Sequence, residues 1–244
     1  VNRHPESESE PNSRTVAATS KRTDRAARRP RSVLLAGAAL AGALGITAVA
    51  VTVGGDGGAV GMRGPGQVSD NRPGVVDTAA AEWIAASSAN YRTADRPDDY
   101  SVDRIVVHVT QSRFIDATRA FRNPAHQAAA HYVVRASDGH IAQTVREADV
   151  AYHAGNREWN ERSIGIEHEG YVDDPQRWFT DTAYEASARL AADIADRHDI
   201  PIDREHIVGH NEVPGADHTD PGRHWDWDRY LQLVRAAQGG RTTA

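Results

Sequence analysis

Three side chains distant in sequence could share one metal ion. His108 stands near the end of an apolar, β-branched run at residues 104–110, His210 follows a second apolar run just after Gly209, and Asp220 occupies the loop beyond, before Pro221-Gly222. The chain contains no cysteine, so histidine and carboxylate are the donors it can offer a soft metal. Catalytic zinc sites typically keep three protein ligands and leave a fourth position to water. Two neutral imidazoles and a carboxylate leave Zn²⁺ with a net charge of about +1, enough to acidify a bound water toward neutrality. Each residue alone has a plainer reading, as a packed histidine or a turn carboxylate. Their joint placement at the ends of buried strands is what predicts a metal centre.

Further residues could act beside it. Glu167 ends the apolar run 163–166, where a carboxylate is costly unless paired, hydrogen-bonded or protonated. It reads either as a salt bridge at the sheet edge or as a general base toward a metal-activated water. His218, two residues before Asp220, reads as a fourth ligand, a solvated loop residue, or a donor to the oxyanion formed when water attacks a carbonyl. His153, in the loop Tyr152-His153-Ala154-Gly155, either touches substrate or lies exposed. Eleven of the twelve histidines follow residue 100, and most are expected to be ordinary surface or core residues.

The elements that must position these groups follow from periodicity. Strands are expected at residues 105–109, 131–135, 140–145, 163–168 and 207–208, with Asp138-Gly139 as a hairpin turn. Helices are expected at 76–87, carrying Trp83 and Ile84, at 113–121, at 182–198 and at 225–237. The third has a capping-box start in Thr182 and Glu185 and stops before Pro201. Strands mixed with helices around one hairpin predict a single α/β domain with a mixed central sheet flanked by helices.

The remaining segments read differently. Residues 1–50 carry eight basic and four acidic residues, while the rest of the chain has a net charge of −10. An acidic body argues against nucleic acid as the main partner. Arg28, Arg29 and Arg31 precede an uncharged Ala-, Leu- and Val-rich stretch at 33–53 that contains Ala48-Val49-Ala50. Residues 1–50 therefore read as an export signal cleaved after Ala50, with an uncleaved membrane anchor as the rival; the paired arginines resemble a twin-arginine signal. In either case the body ends outside the cytoplasm, because the positive flank stays inside. Residues 51–76 read as a flexible linker, 77–237 as the folded domain and 238–244 as a disordered tail.

Taken in order, His108-Val109-Thr110, His131-Tyr132, Asp138-Gly139, His153-Ala154-Gly155, residues 163–167, Gly209-His210 and Asp220-Pro221-Gly222 resemble the zinc-dependent N-acetylmuramoyl-L-alanine amidases of the type-2 amidase and peptidoglycan-recognition-protein superfamily. The resemblance covers about residues 100–237. It implies that superfamily's α/β fold, Zn²⁺ held by His108, His210 and Asp220, and Glu167 as the catalytic acidic residue. Ala130 occupies the position of the tyrosine that some members use instead. Where the family often has a lysine, this chain has His218, and its sole lysine is Lys21. The implied reaction is hydrolysis of the amide joining N-acetylmuramic acid to L-alanine, with zinc and His218 stabilising the oxyanion. His153 and Trp159 would line the glycopeptide cleft, although Trp159 also fits a core position. The implied partner is peptidoglycan or a muropeptide, met by a secreted, wall-associated or N-terminally anchored monomer. The alternative is a non-catalytic peptidoglycan-binding module.

Overall fold

Two β-branched runs, β3 (Arg104–Val109) and β7 (Ser163–His168), pair in parallel as adjacent inner strands of a six-stranded sheet. In this computed structural model, which describes residues 74–242, strand order across the sheet is β1 (Ala81–Trp83), β5 (Ile141–Gln143), β4 (Tyr132–Val134), β7, β3 and β8 (Ile207–Gly209). All neighbours run parallel except β4 and β5, joined by the expected hairpin. That turn needs its glycine: Gly139 has φ +69°, and a Cβ there would lie 2.7 Å from the Ala186 Cβ. The expected mixed sheet is thus observed. The expected signal or anchor and residues 51–73 of the expected linker lie outside the described residues. Among those described, no helix is long and apolar enough to cross a membrane.

Strand periodicity separates core from site. Ile105, Val107, Ile164 and Ile166 point to the face covered by α4 (Asp181–His198) and α5 (Trp227–Thr242), where they join Leu190, Ile194, Tyr230 and Val234 in the main core. Fully burying one such side chain stabilises the fold by roughly 1.5–3 kcal/mol. Helix α1 (Phe114–Arg122) covers part of the opposite face with Phe114, Ala117 and Phe121 against Val133 and Ala142. Short α2 (Arg157–Arg162) and α3 (Pro175–Trp178) complete the helices, and β2 (Tyr91–Arg92) pairs antiparallel with β6 (Val150–Ala151).

Several boundaries differ from the periodicity reading. The stretch expected as a helix at 76–87 contains β1, which lies parallel to β5 and continues with hydrogen bonds from Ile84 N–H to the Gln143 carbonyl (2.9 Å) and from Ala86 N–H to the Thr144 carbonyl (2.9 Å). An otherwise open sheet edge overrides the helical propensity of its alanines. Helix α4 is capped by Thr180 rather than by the expected Thr182 box. The Thr180 hydroxyl oxygen accepts from Ala183 N–H at 3.1 Å and its O–H donates to the Ala136 carbonyl at 2.6 Å, tying the helix to the β4–β5 hairpin. Helix α5 begins at Trp227 and runs to Thr242, through residues expected to be disordered. Trp225, expected inside that helix, stacks on Tyr184 with ring centroids 4.5 Å apart.

One buried carboxylate is fully satisfied. Glu147 accepts from the Tyr132 hydroxyl (2.6 Å), from Arg197 Nε (3.0 Å) and Nη2 (2.5 Å), and from His198 Nε2 (2.8 Å). Burial pushes its carboxyl up, but Arg197 and His198 outweigh that and hold it well below the usual range. A carboxyl depressed in the folded state adds stability above its unfolded value of about 4.3, and loses it as pH falls below that toward the folded value. Glu147→Ala is therefore expected to lower unfolding free energy at pH 7 by about 3 kcal/mol. Urea titrations at a series of pH values should show the gap from the unsubstituted chain closing in acid.

Candidate active site

The pairing of β3 with both neighbours assembles the site. His108 is the register partner of Glu167 on β7, and Val107 is the partner of Gly209 on β8, the residue before His210. His108 and Glu167 share the sheet face opposite α4 and α5. His210 opens a 3₁₀ turn (His210–Glu212) directly after β8. The last member arrives from a loop: Asp220 Oδ2 accepts from Val109 N–H at 3.2 Å, and the Asp220 carbonyl accepts from Asn211 N–H at 2.9 Å.

These placements bring His108, His210 and Asp220 together, with one ligand atom from each within 4.8 Å of the others. Asp220 lies between the two rings, Oδ2 at 3.4 Å from His108 Nδ1 and Oδ1 at 3.3 Å from His210 Nδ1. All three residues are buried. Burial raises the Asp220 carboxyl, but the two imidazoles outweigh it and leave the group well below the usual range. His108 is shifted down, chiefly by burial. The donor set fits a divalent cation that prefers nitrogen and oxygen ligands, zinc above all. His210 Nε2 and Glu167 Oε2 are buried without a protein hydrogen-bond partner, as expected where a ligand or substrate completes the shell.

A cavity of about 450 Å³ opens over the cluster, with His108, His210, Asp220, Glu167, His153 and His218 in its walls. Among the described residues no cationic side chain pairs with Glu167, which sets aside the salt-bridge reading. Burial first, and the Asp220 charge second, raise its carboxyl well above the ordinary value. His218 is 56 % exposed and stacks on His210, with ring centroids 4.1 Å apart and planes 23° apart. Its Nδ1 is 3.5 Å from Asp220 Oδ1. His153 is neither exposed nor on a free loop. It is buried behind His108, its Nδ1 3.0 Å from His108 Nε2. Trp159 does not line this cavity. It packs with Val106, Ala154, Val208 and Val213 beneath the Arg104 guanidinium, in the core position that its sequence also allowed. Periodicity missed Ser163 and the buried pair Arg96 and His131, which lie behind His153. An arginine in a loop carries no signal of burial.

The family model described as N-acetylmuramoyl-L-alanine amidase matches residues 98–223. N-acetylmuramoyl-L-alanine amidase A of Achromobacter lyticus is 34% identical over 181 residues, covering 67% of this chain and 98% of that protein. The 1,6-anhydro-N-acetylmuramyl-L-alanine amidase AmpD of Escherichia coli K12 is 31% identical over 163 residues, covering 57% of this chain and 86% of AmpD. A crystal structure of a selenomethionine AmpD derivative superposes with a TM-score of 0.53 at 27% identity, over 66% of this chain and 99% of that one. The chain belongs to the N-acetylmuramoyl-L-alanine amidase family, as the ordered motifs implied.

A ligand that binds only the folded state adds about 4 kcal/mol of stability at a thousandfold excess over its Kd. Zinc at that excess should raise the thermal midpoint of the purified chain, and chelator should reverse the rise. His210→Ala is expected to abolish it, as read by differential scanning calorimetry with metal analysis of the dialysed protein.

Proposed function

We propose that this chain is a zinc-dependent hydrolase of the amide between N-acetylmuramic acid and L-alanine in peptidoglycan or its fragments. The observation that carries the reading is the convergence of His108, His210 and Asp220 beside Glu167, whose Oε2 is buried without a hydrogen-bond partner, in the wall of an open cavity. His108, His210 and Asp220 would hold the zinc, which when bound would supply Lewis acidity toward water and carbonyl oxygen. Glu167 takes the proton of the attacking water and returns it to the departing alanine amine. Partial burial raises this carboxyl above its ordinary value, in the direction that favours its holding a proton between the two transfers. The C–N bond breaks, leaving a lactyl carboxylate on the sugar and a free amine on the stem peptide. His218, on the cavity wall, donates a hydrogen bond to the oxyanion in place of the family's lysine.

All four central side chains come from one chain, so a monomer suffices. The basic N-terminal region and the apolar stretch after it support export to the side of the membrane where peptidoglycan lies.

Glu167→Ala should keep zinc but cut turnover by about 10²–10⁴-fold. Mass spectrometry of digests of intact sacculi and of soluble muropeptides, with and without chelator, reads this out directly. Near-normal activity of Glu167→Ala would remove its assignment as general base. Zinc-loaded protein that binds peptidoglycan and releases no stem peptide would make the chain a binding module.

A further inference from the structure

A chain of hydrogen bonds runs from the metal cluster into the interior, and its direction is fixed at the far end. The Trp159 backbone carbonyl can only accept, so the Ser163 hydroxyl donates to it. The Ser163 oxygen then receives the proton of His153 Nε2, 3.2 Å away. A neutral His153 protonated on Nε2 offers a lone pair on Nδ1, which lies 3.0 Å from His108 Nε2. His108 must therefore carry its own proton on Nε2 and turn the bare Nδ1 toward Asp220 Oδ2, 3.4 Å away. Two electron-rich atoms then face each other there, the arrangement that a divalent cation between them would use.

The surroundings of His153 leave it little choice. Its ring is buried and fills the space where Gly165 has no side chain, since a Cβ at Gly165 would lie 2.6 Å from His153 Nδ1. His131 packs edge-on behind it with ring centroids 5.5 Å apart, and Arg96 Nη2 lies 2.8 Å from His131 Nε2. His131 and His153 are both buried, and the Arg96 guanidinium closes the far end of the column.

We propose that His153, anchored through Ser163 to the Trp159 carbonyl, is a positioning residue that fixes the tautomer and ring plane of His108 and so selects Nδ1 as its metal-binding atom. This rests on the metal reading of the cluster. His153 also lines the cavity, so this role stands beside the substrate contact expected of it. Histidine ligands generally depend on such a partner, whose loss weakens metal binding by about 10–100-fold.

The test is zinc affinity, by competition with a chromophoric chelator, in the full chain. His153→Phe should bind zinc about 10–100-fold more weakly. His153→Gln, which can both accept and donate, should recover much of the loss, and Ser163→Ala should show a smaller one. Gly165→Ala, which leaves every polar group in place, should weaken zinc binding by displacing the ring. Long-range ¹H–¹⁵N spectra of the unsubstituted chain, with and without zinc, should show the Nε2 proton on both His108 and His153. An Nδ1 proton on His108, or a folded His153→Phe with unchanged zinc affinity, would overturn the proposal. If the unsubstituted chain takes up no zinc, the metal reading falls with it. If zinc binds and His153→Phe makes no difference, this proposal alone falls.

Discussion

The position of β3 between two parallel neighbours is the constraint on which the site depends. Pairing with β7 sets His108 opposite Glu167, and pairing with β8 delivers His210 at the next strand end. A slip of one residue in either ladder would turn every side chain of that strand to the other face. Such a slip is resisted from the far side of the sheet, where Ile105, Val107, Ile164 and Ile166 are locked into the core under α4 and α5. The apolar face thus holds the register that the polar face uses.

The buried carboxylates show how the same cost of desolvation is met in different ways. Glu147 is saturated by Arg197, His198 and Tyr132 and ties α4 to the loop after β5. Asp220 is shared between two imidazoles and the Val109 amide. Glu167 has none of these partners, and its Oε2 faces the cavity wall unsatisfied. A carboxylate left in that condition on a well-packed strand marks a place where stability is held below its optimum for the sake of chemistry.

Much of this was legible in the sequence, and what was not has physical causes. The runs at β3, β7 and β8 and the Asp-Gly hairpin are strong local signals, so the ligand histidines and Glu167 could be placed at strand ends. Strand β1 departs from the helix expected at 76–87 because its alanines favour a helix until an open sheet edge takes them. Strands β2 and β6, two residues each, are too short to show a period. His153 and Trp159 both fit the cleft, and Trp159 the core equally, since a loop histidine and an aromatic near a helix start look alike whether they face in or out. What decides between them is the bare backbone of Gly165 and the pocket formed by Val106 and Val208, contacts made across the sheet and invisible to spacing. Ser163 had no signal at all, as a serine opening a strand is ordinary.

The ligand-bearing segments enter the fold at widely separated points, β3 early and the Asp220 loop just before α5. A nascent polypeptide halted between β7 and β8 possesses His108 and Glu167 without either of the other two groups. Fragments that end ahead of Asp220, whether by interrupted synthesis or by proteolytic trimming, therefore carry no complete set of ligands. Competence arrives all at once, when the last loop closes over the sheet.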